Sequence, residues 1–451
     1  MILIKNGQLV DSRGSIQADI LLKEGKIHAI GLDLASEGCG RVIDAKGKVV
    51  TPAFIELHAH FRDPGLTYKE DLKTGSQAAL HGGYGTVNLM ANTKPVVDNP
   101  EVYQDIMTRA QELGLVHIFQ NYAASKDLAG QERVDFDRIP DSVKFLSDDG
   151  FGLFNNKATF ELFQALKEKN LGIMIHEEDK ELSEIDYRYA EDVHTWRDVY
   201  FAGKIGNPVH FCHVSTVDAL DAVRYGKAKG YPVTMEVTPH HIYLYDSDFK
   251  VHPPIRAKAD VEALVEGILD GTVDVIATDH APHSAEDKAQ GSPGMIGLET
   301  AFPIAYKVLV QDHGQDLSLV SKLLSHNPAK ILGLNKGLLE VGYDGDLTLI
   351  DLDQTYTAQD FASKSDNTPF KGESFDGLVE MTIVDGQVRY EREENHDWRK
   401  QWPLKYWPCW LDFEKPHYPC FRDSGLWGAP DGPLWLRHPW SPGDQNDHLG
   451  G

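Results

Sequence analysis

From residue 51 to about 335 the chain repeats one unit: a short apolar run, a turn, then a stretch with helical spacing. The apolar runs fall at 54–57, 85–90, 115–119, 143–146, 171–175, 209–212, 232–237 and 273–277. Each is four to six residues long, which suits a buried strand better than a helix. Helix-like stretches follow most of them, at Tyr68–His81, Pro100–Leu113, Lys157–Lys169, Tyr189–Gly203, Thr216–Ala228 and Ala259–Ile268, with a last one at about 316–333. The connection from the third run to the fourth is weaker, with Lys126–Arg138 as its one candidate. Strands that alternate with helices form a parallel sheet, because each helix carries the chain back to the edge it left. Eight repeats over roughly 280 residues predict a closed (β/α)8 barrel, the TIM barrel, with an open doubly wound sheet as the alternative.

The flanks have a different texture. Ile2–Ile4, Asp19–Leu22, Lys26–Ile30 and Val49–Val50 are short strand runs separated by Asn-Gly, Glu-Gly and Lys-Gly turns. Strand runs return at Asp346–Leu352 and Val379–Tyr390, the latter split by Asp385-Gly386. Residues 1–50 and 336–390 are therefore expected to combine into a small composite β-sandwich domain beside a barrel of 51–335. Residues 391–451 fit neither pattern: seven of the eight tryptophans and eight of the 23 prolines lie there. So many aromatics argue against ordinary disorder, and the prolines against a regular element. No catalytic role is expected of this extension.

Charge narrows the partners. With 44 basic against 69 acidic residues, a net of −25, neither nucleic acid nor an anionic membrane is an expected partner. Four scattered cysteines (Cys39, Cys212, Cys409, Cys420) make no disulfide framework or CxxC knuckle. The first residues turn polar too quickly for a signal peptide, and no apolar run reaches membrane-spanning length. These features predict a soluble cytoplasmic protein acting on a small molecule.

In a barrel the chemistry collects at the C-terminal ends of the strands. The first run ends in His58-Ala59-His60, whose period-2 spacing turns both imidazoles to one side. The fourth ends in Ser147-Asp148-Asp149-Gly150, the fifth in His176-Glu177-Glu178-Asp179, the sixth in His213 and the eighth in Asp279-His280. Any one of these has a plain explanation as a core histidine or a turn. His241, in Pro239-His240-His241, is read as structural. The coincidence at one mouth points instead to divalent metal, nitrogen and carboxylate donors suiting zinc first, with manganese, cobalt or iron as alternatives. Four histidines and two carboxylates exceed one four-coordinate ion; two ions sharing a bridging group would use them all. Arg62, in a turn closed by Pro64 and Gly65, is placed to grip a substrate carboxylate.

At these residues the chain resembles the amidohydrolase superfamily and, within it, the type I dihydroorotases. The matching stretches are Glu56–Gly65, Met90–Pro95, Ser147–Gly150, His176–Asp179, Cys212–Thr216, Val237–His241, Thr278–His283 and Asn367–Phe370. The resemblance covers about 1–390. It implies a metal-dependent barrel that interconverts N-carbamoyl-L-aspartate and L-dihydroorotate in pyrimidine biosynthesis. It implies His58, His60 and Asp279 as ligands of one metal, His176 and His213 as ligands of the other, and Asp149 as the bridge. A carbamylated Lys144, on the same strand as Asp149, is the alternative bridge. It also implies Arg62, Asn92 and His283 as holders of the substrate carboxylate. Where the family usually has Asn-Pro-Pro-Leu-Arg, this chain reads His252-Pro253-Pro254-Ile255-Arg256, so His252 replaces a substrate-contacting asparagine.

The expected reaction is attack of a metal-activated hydroxide on a ring amide, with Asp279 as base and then acid. The Gly-rich, charged segment Ser284–Leu298 is read as a lid over the mouth or as a plain solvated loop. The competing readings are a hydantoinase or allantoinase, which shares the metals without the carboxylate grip, and a non-catalytic scaffold partner. A homo-oligomer, or association with aspartate carbamoyltransferase, is the expected assembly.

Overall fold

Turns at Ser12-Arg13, Glu24-Gly25 and Lys46-Gly47 break the first 50 residues into short strands in a computed structural model of the chain, whereas Asn6-Gly7, expected as a turn, is a register shift inside the first strand. The structure describes residues 1–392 apart from Gln131, Phe151 and Phe154; the tryptophan-rich extension from 393 onward lies outside the described residues. Strands β1 (Ile2–Asp11), β2 (Gly14–Lys23), β3 (Lys26–Gly31), β4 (Arg41–Asp44) and β5 (Val49–Pro52) come from the N-terminal stretch. From the other end come β15 (Leu347–Thr357), β16 (Ser374–Val384) and β17 (Gln387–Glu391). All eight join one sheet in the order β17-β16-β15-β5-β1-β2-β3, with β4 on β1. The two ends of the chain meet where β15 pairs antiparallel with β5, Leu349 opposite Val50. Alternating apolar residues of both ends, among them Ile4, Leu9, Ile20, Val50, Leu347, Leu349 and Ile383, share one core.

Between them lie β6 (Phe54–Ala59), β7 (Tyr84–Leu89), β8 (His117–Gln120), β9 (Tyr122–Ala123), β10 (Phe145–Ser147), β11 (Gly172–Ile175), β12 (Val209–Phe211), β13 (Val233–Val237) and β14 (Val275–Ile276). β8 and β9 are one strand interrupted at Asn121, whose N–H donates to Leu89 O at 2.8 Å. Every neighbouring pair is parallel. The ring closes where Ala59 bridges His280 and His60 N–H donates to His280 O at 2.9 Å. The eight-strand barrel expected from the repeat is thus the observed architecture. Ile55, Leu57, Met90, Phe145, Met174, Cys212, Val275 and Ala277 cluster with Ala329 and Leu332 of the helix Asn327–Leu332.

The helices follow the spacing closely, at Pro100–Leu113, Asn156–Lys169, Tyr187–Ile205, Val217–Ala228 and Lys258–Leu269. The helix expected from Tyr68 begins at Leu72 instead. Asp71 caps it, accepting from Thr74 N–H at 2.8 Å while the Thr74 hydroxyl answers Asp71 N–H. This leaves 61–71 free as a loop at the mouth. Lys126–Arg138 holds two single 3-10 turns, Lys126–Leu128 and Phe136–Arg138, rather than an α-helix. The last helical region, Leu317–Leu332, carries a π-helical stretch at Lys322–His326. Among the described residues no helix is long and apolar enough to cross a membrane.

Candidate metal and substrate site

Three residues bend the chain sharply where strands enter the mouth: Arg62, His213 and Asp279 have φ of 58°, 32° and 47°. Non-glycine residues rarely adopt this left-handed conformation, and it concentrates at functional sites. A second close approach brings the β6 loop to the β7 loop. Gly65 has φ of 92°, and a Cβ there would lie 1.8 Å from Lys94 O, so only glycine lets the two loops touch.

The imidazoles of His58 and His60 sit 5.2 Å apart, both buried. Asp149 lies between the histidines of different strands. Its Oδ1 is 3.3 Å from His58 Nε2, 3.5 Å from His213 Nε2 and 3.7 Å from His176 Nδ1, and its Oδ2 is 3.4 Å from His60 Nε2. Asp279 Oδ1 stands 3.0 Å from His60 Nε2 and 3.5 Å from His58 Nε2. All six residues expected to ligate metal are therefore drawn together. His58, His60 and Asp149 form one group whose donor atoms lie within 4.8 Å of one another; Asp149, His176 and His213 form a second, sharing the carboxylate.

Buried polar atoms normally find partners. Here His58 Nε2 and Asp149 Oδ1, both fully enclosed, have none. Two such orphans facing each other in a nitrogen and carboxylate cage fit a divalent cation. Burial alone would raise Asp149, but the adjoining imidazoles, His58 foremost, hold its carboxyl well below the ordinary range. Asp279 is held low in the same way, by His58 and His60 against the effect of burial. Lys144 is not part of the cage: its ammonium donates to Leu332 O, on the helix that packs against the barrel interior.

Behind the cage is a layer not singled out in the sequence. Glu236 on β13 is fully buried, its Oε1 2.7 Å from His58 Nδ1 and its Oε2 2.9 Å from His210 Nε2. A carboxylate on Nδ1 fixes the His58 proton there and leaves Nε2 free to donate its lone pair into the cage. Burial would raise this carboxyl, yet His58 and His210 bring it down to about 2. Asn92 does the same for His60, its Oδ1 2.8 Å from Nδ1. His176 Nε2 meets the Tyr187 hydroxyl at 2.9 Å and Glu178 at 3.4 Å, leaving Nδ1 toward Asp149. A lone glutamate in the middle of the run Val233–Val237 was the available signal for Glu236. Tyr187 had none, since it opens an ordinary surface helix.

A cavity of about 230 Å³ opens above the cage, lined by Arg62, Asn92, His252, His283 and the loop Ser292–Gly294 among others. The segment Ser284–Leu298 thus lines the mouth. Ser284 caps its short helix Ala285–Ala289, and Gly294, at φ of 124°, packs where a Cβ would meet Ala281 Cβ at 2.8 Å. Arg62 Nη2 lies 3.3 Å from His283 Nε2, and the His283 backbone N–H donates to Asn367 Oδ1 at 3.0 Å. His252 faces the same space, 3.5 Å from Glu178 and edge-on to the Tyr187 ring at 4.3 Å. His241, by contrast, has both ring nitrogens satisfied, by the Thr238 hydroxyl at 2.9 Å and Pro253 O at 3.0 Å.

Comparison with known proteins places this geometry in context. The Amidohydrolase family model matches residues 49–389. The dihydroorotase of Clostridium botulinum (strain Eklund 17B / Type B) is 45% identical over 397 residues, spanning 87% of this chain and 100% of that protein. The dihydroorotase of Lactobacillus gasseri is 40% identical over 422 residues, 86% of this chain and 99% of the relative. Among solved structures, the L-hydantoinase from Arthrobacter aurescens superposes with a TM-score of 0.78 at 26% identity, covering 87% of this chain and 96% of the hydantoinase.

Proposed function

The chain belongs to the amidohydrolase family, and from its likeness to dihydroorotases over most of its length we infer that it is a dihydroorotase, interconverting N-carbamoyl-L-aspartate and L-dihydroorotate. Sequence identity to dihydroorotases supports this over a hydantoinase, whose likeness here is mainly one of fold. The observation that carries the reading is the cluster of donors beside the cage: Arg62 and His283 at 3.3 Å, with Asn92 on the same cavity wall. Neither a hydantoin nor allantoin carries the ring carboxylate such a cluster would bind. A polar site of this kind rejects analogues that leave its groups unpaired by several powers of ten.

Two divalent ions, zinc in first place, are the proposed cofactors; His58, His60 and Asp279 would hold one, His176 and His213 the other, and Asp149 would serve both. Bound there, such ions supply a water ionised near neutral pH and a polarised amide carbonyl. The chain does the rest. Arg62, Asn92 and His283 hold the carboxylate and so set the ring amide over the cage. Asp279 takes the proton of the attacking water and returns it to the departing ring nitrogen; in cyclisation the order reverses. Its left-handed backbone turns the carboxylate inward between His58 and His60, where it reaches both partners. His252 is assigned to the substrate wall in place of the family asparagine. A cytoplasmic enzyme, alone as a homo-oligomer or with aspartate carbamoyltransferase, is the proposed setting, which size-exclusion chromatography with and without that partner tests.

Turnover of L-dihydroorotate, hydantoin and allantoin by protein of measured metal content tests the assignment. Dihydroorotate is expected to be the preferred substrate by orders of magnitude. Preference for either of the others removes it, and metal-loaded protein inert to all three points to the scaffold reading.

A further inference from the structure

Lys69 is buried, at 8% exposure, yet it lies outside the cavity lining and none of the expected roles falls on it. Its ammonium is 3.1 Å from His283 Nδ1 and 3.2 Å from Asp287 Oδ1. An ammonium has donors only, so His283 Nδ1 must accept, and a neutral ring then carries its proton on Nε2. Burial and the two flanking cations, Arg62 and Lys69, push the His283 imidazole down to about 3, so the ring is neutral at physiological pH. Across the cavity wall, 3.3 Å from Nε2, stands Arg62 Nη2, also a donor only. Two N–H groups therefore face one another with no acceptor between them. A carboxylate, with lone pairs on both oxygens, satisfies both at once.

The opposite tautomer would behave differently. With its proton on Nδ1, His283 would accept from Arg62 and occupy part of the guanidinium. The site would lose a donor from each residue.

We propose that Lys69, anchored by Asp287, is a positioning residue that keeps His283 in its Nε2–H form, making it a second donor, beside Arg62, to the substrate carboxylate. Asp287 lies on the short helix of the mouth loop, and Tyr68 OH also reaches its Oδ1 at 3.3 Å. The loop after β6 and the loop after β14 are thereby clasped behind the carboxylate subsite. The inference rests on the dihydroorotase reading, since it presumes a carboxylate ligand.

The test uses metal-loaded full-length protein with orotate, which bears the carboxylate, and uracil, which lacks it. Native protein is expected to bind orotate far more tightly than uracil; equal binding overturns the carboxylate reading itself. Lys69→Met should weaken orotate roughly tenfold or more while leaving uracil binding and metal content unchanged. Lys69→Gln, whose amide still donates to Nδ1, should recover much of the loss. Native discrimination that survives intact in Lys69→Met overturns the Lys69 inference alone. Should that variant not fold, imidazole 15N shifts of the native protein decide, with the His283 signal identified by its loss in His283→Gln. An Nε2–H signature is expected, and an Nδ1–H signature overturns the proposal.

Discussion

Two regions of this molecule bury charge, and they do so in opposite ways. In and beside the two-ended sheet, Lys336, Asp11 and Asp19 are each buried against partners. Lys336 is held by Asp346 and Asp344, Asp11 takes Arg13 at 2.7 Å and Leu339 N–H at 3.0 Å, and Asp19 accepts from Asn6 and Leu34 N–H, both at 2.9 Å. At the barrel mouth His58 Nε2 and Asp149 Oδ1 are enclosed without a partner, Arg62 and His283 oppose donor to donor, and three residues hold left-handed backbone. Paired charge keeps two distant chain ends in register. Unpaired charge is stored capacity to bind, sustained because the surrounding barrel fixes the backbone on every side.

If that contrast is right, substitutions at the mouth should cost activity while sparing stability, and those in the sheet should do the reverse. The largest expected effect is Asp279→Asn. Loss of the proton carrier should lower kcat by about a thousandfold or more, with a melting temperature near that of the native protein. A variant with normal turnover would remove Asp279 from the mechanism. Next is Lys336→Met beside the sheet, which takes the cation from the buried Asp346 and leaves it the Asp385 N–H at 2.7 Å. Breaking a buried pair from one side costs about 3 kcal/mol, readable by urea unfolding, while KM and kcat of the folded fraction stay put.

Arg62→Ala should raise KM for dihydroorotate by about 10- to 100-fold and alter kcat less; an unchanged KM contradicts the carboxylate grip. The smallest effect separates the cage from its backing. Glu236→Gln keeps shape but removes the charge that fixes the His58 proton, and metal affinity should fall about tenfold. Competition with a chromophoric chelator measures it, and unaltered affinity would reduce Glu236 to a packing residue.

Much of the frame was legible because it repeats. A buried parallel strand reads as an apolar run and an amphipathic helix as a 3.6-residue period, so eight units stood out without any knowledge of contacts. Departures came where one local choice overrode the pattern. Asp71 capped a helix four residues later than Tyr68, and the Lys126–Arg138 connection formed only single turns. The cage residues were legible too, since strand ends in a barrel share one face. Tyr187 and Lys69 were not, and Glu236 showed only as a charge within an apolar run, with no sign of its partner. Each acts on a residue 11, 214 or 178 positions away, and nothing in its own neighbourhood marks that relation.

The sequence by itself determined the kinds of element, their order and the chemistry available at each strand end, because local sterics and burial patterns act over a few residues. Tertiary structure alone decided which nitrogen of each histidine looks inward, that Lys144 faces away from the cage, and that Arg62 and His283 meet without an acceptor. Those outcomes depend on distances between side chains brought together only when the ring of strands closes at Ala59 and His280.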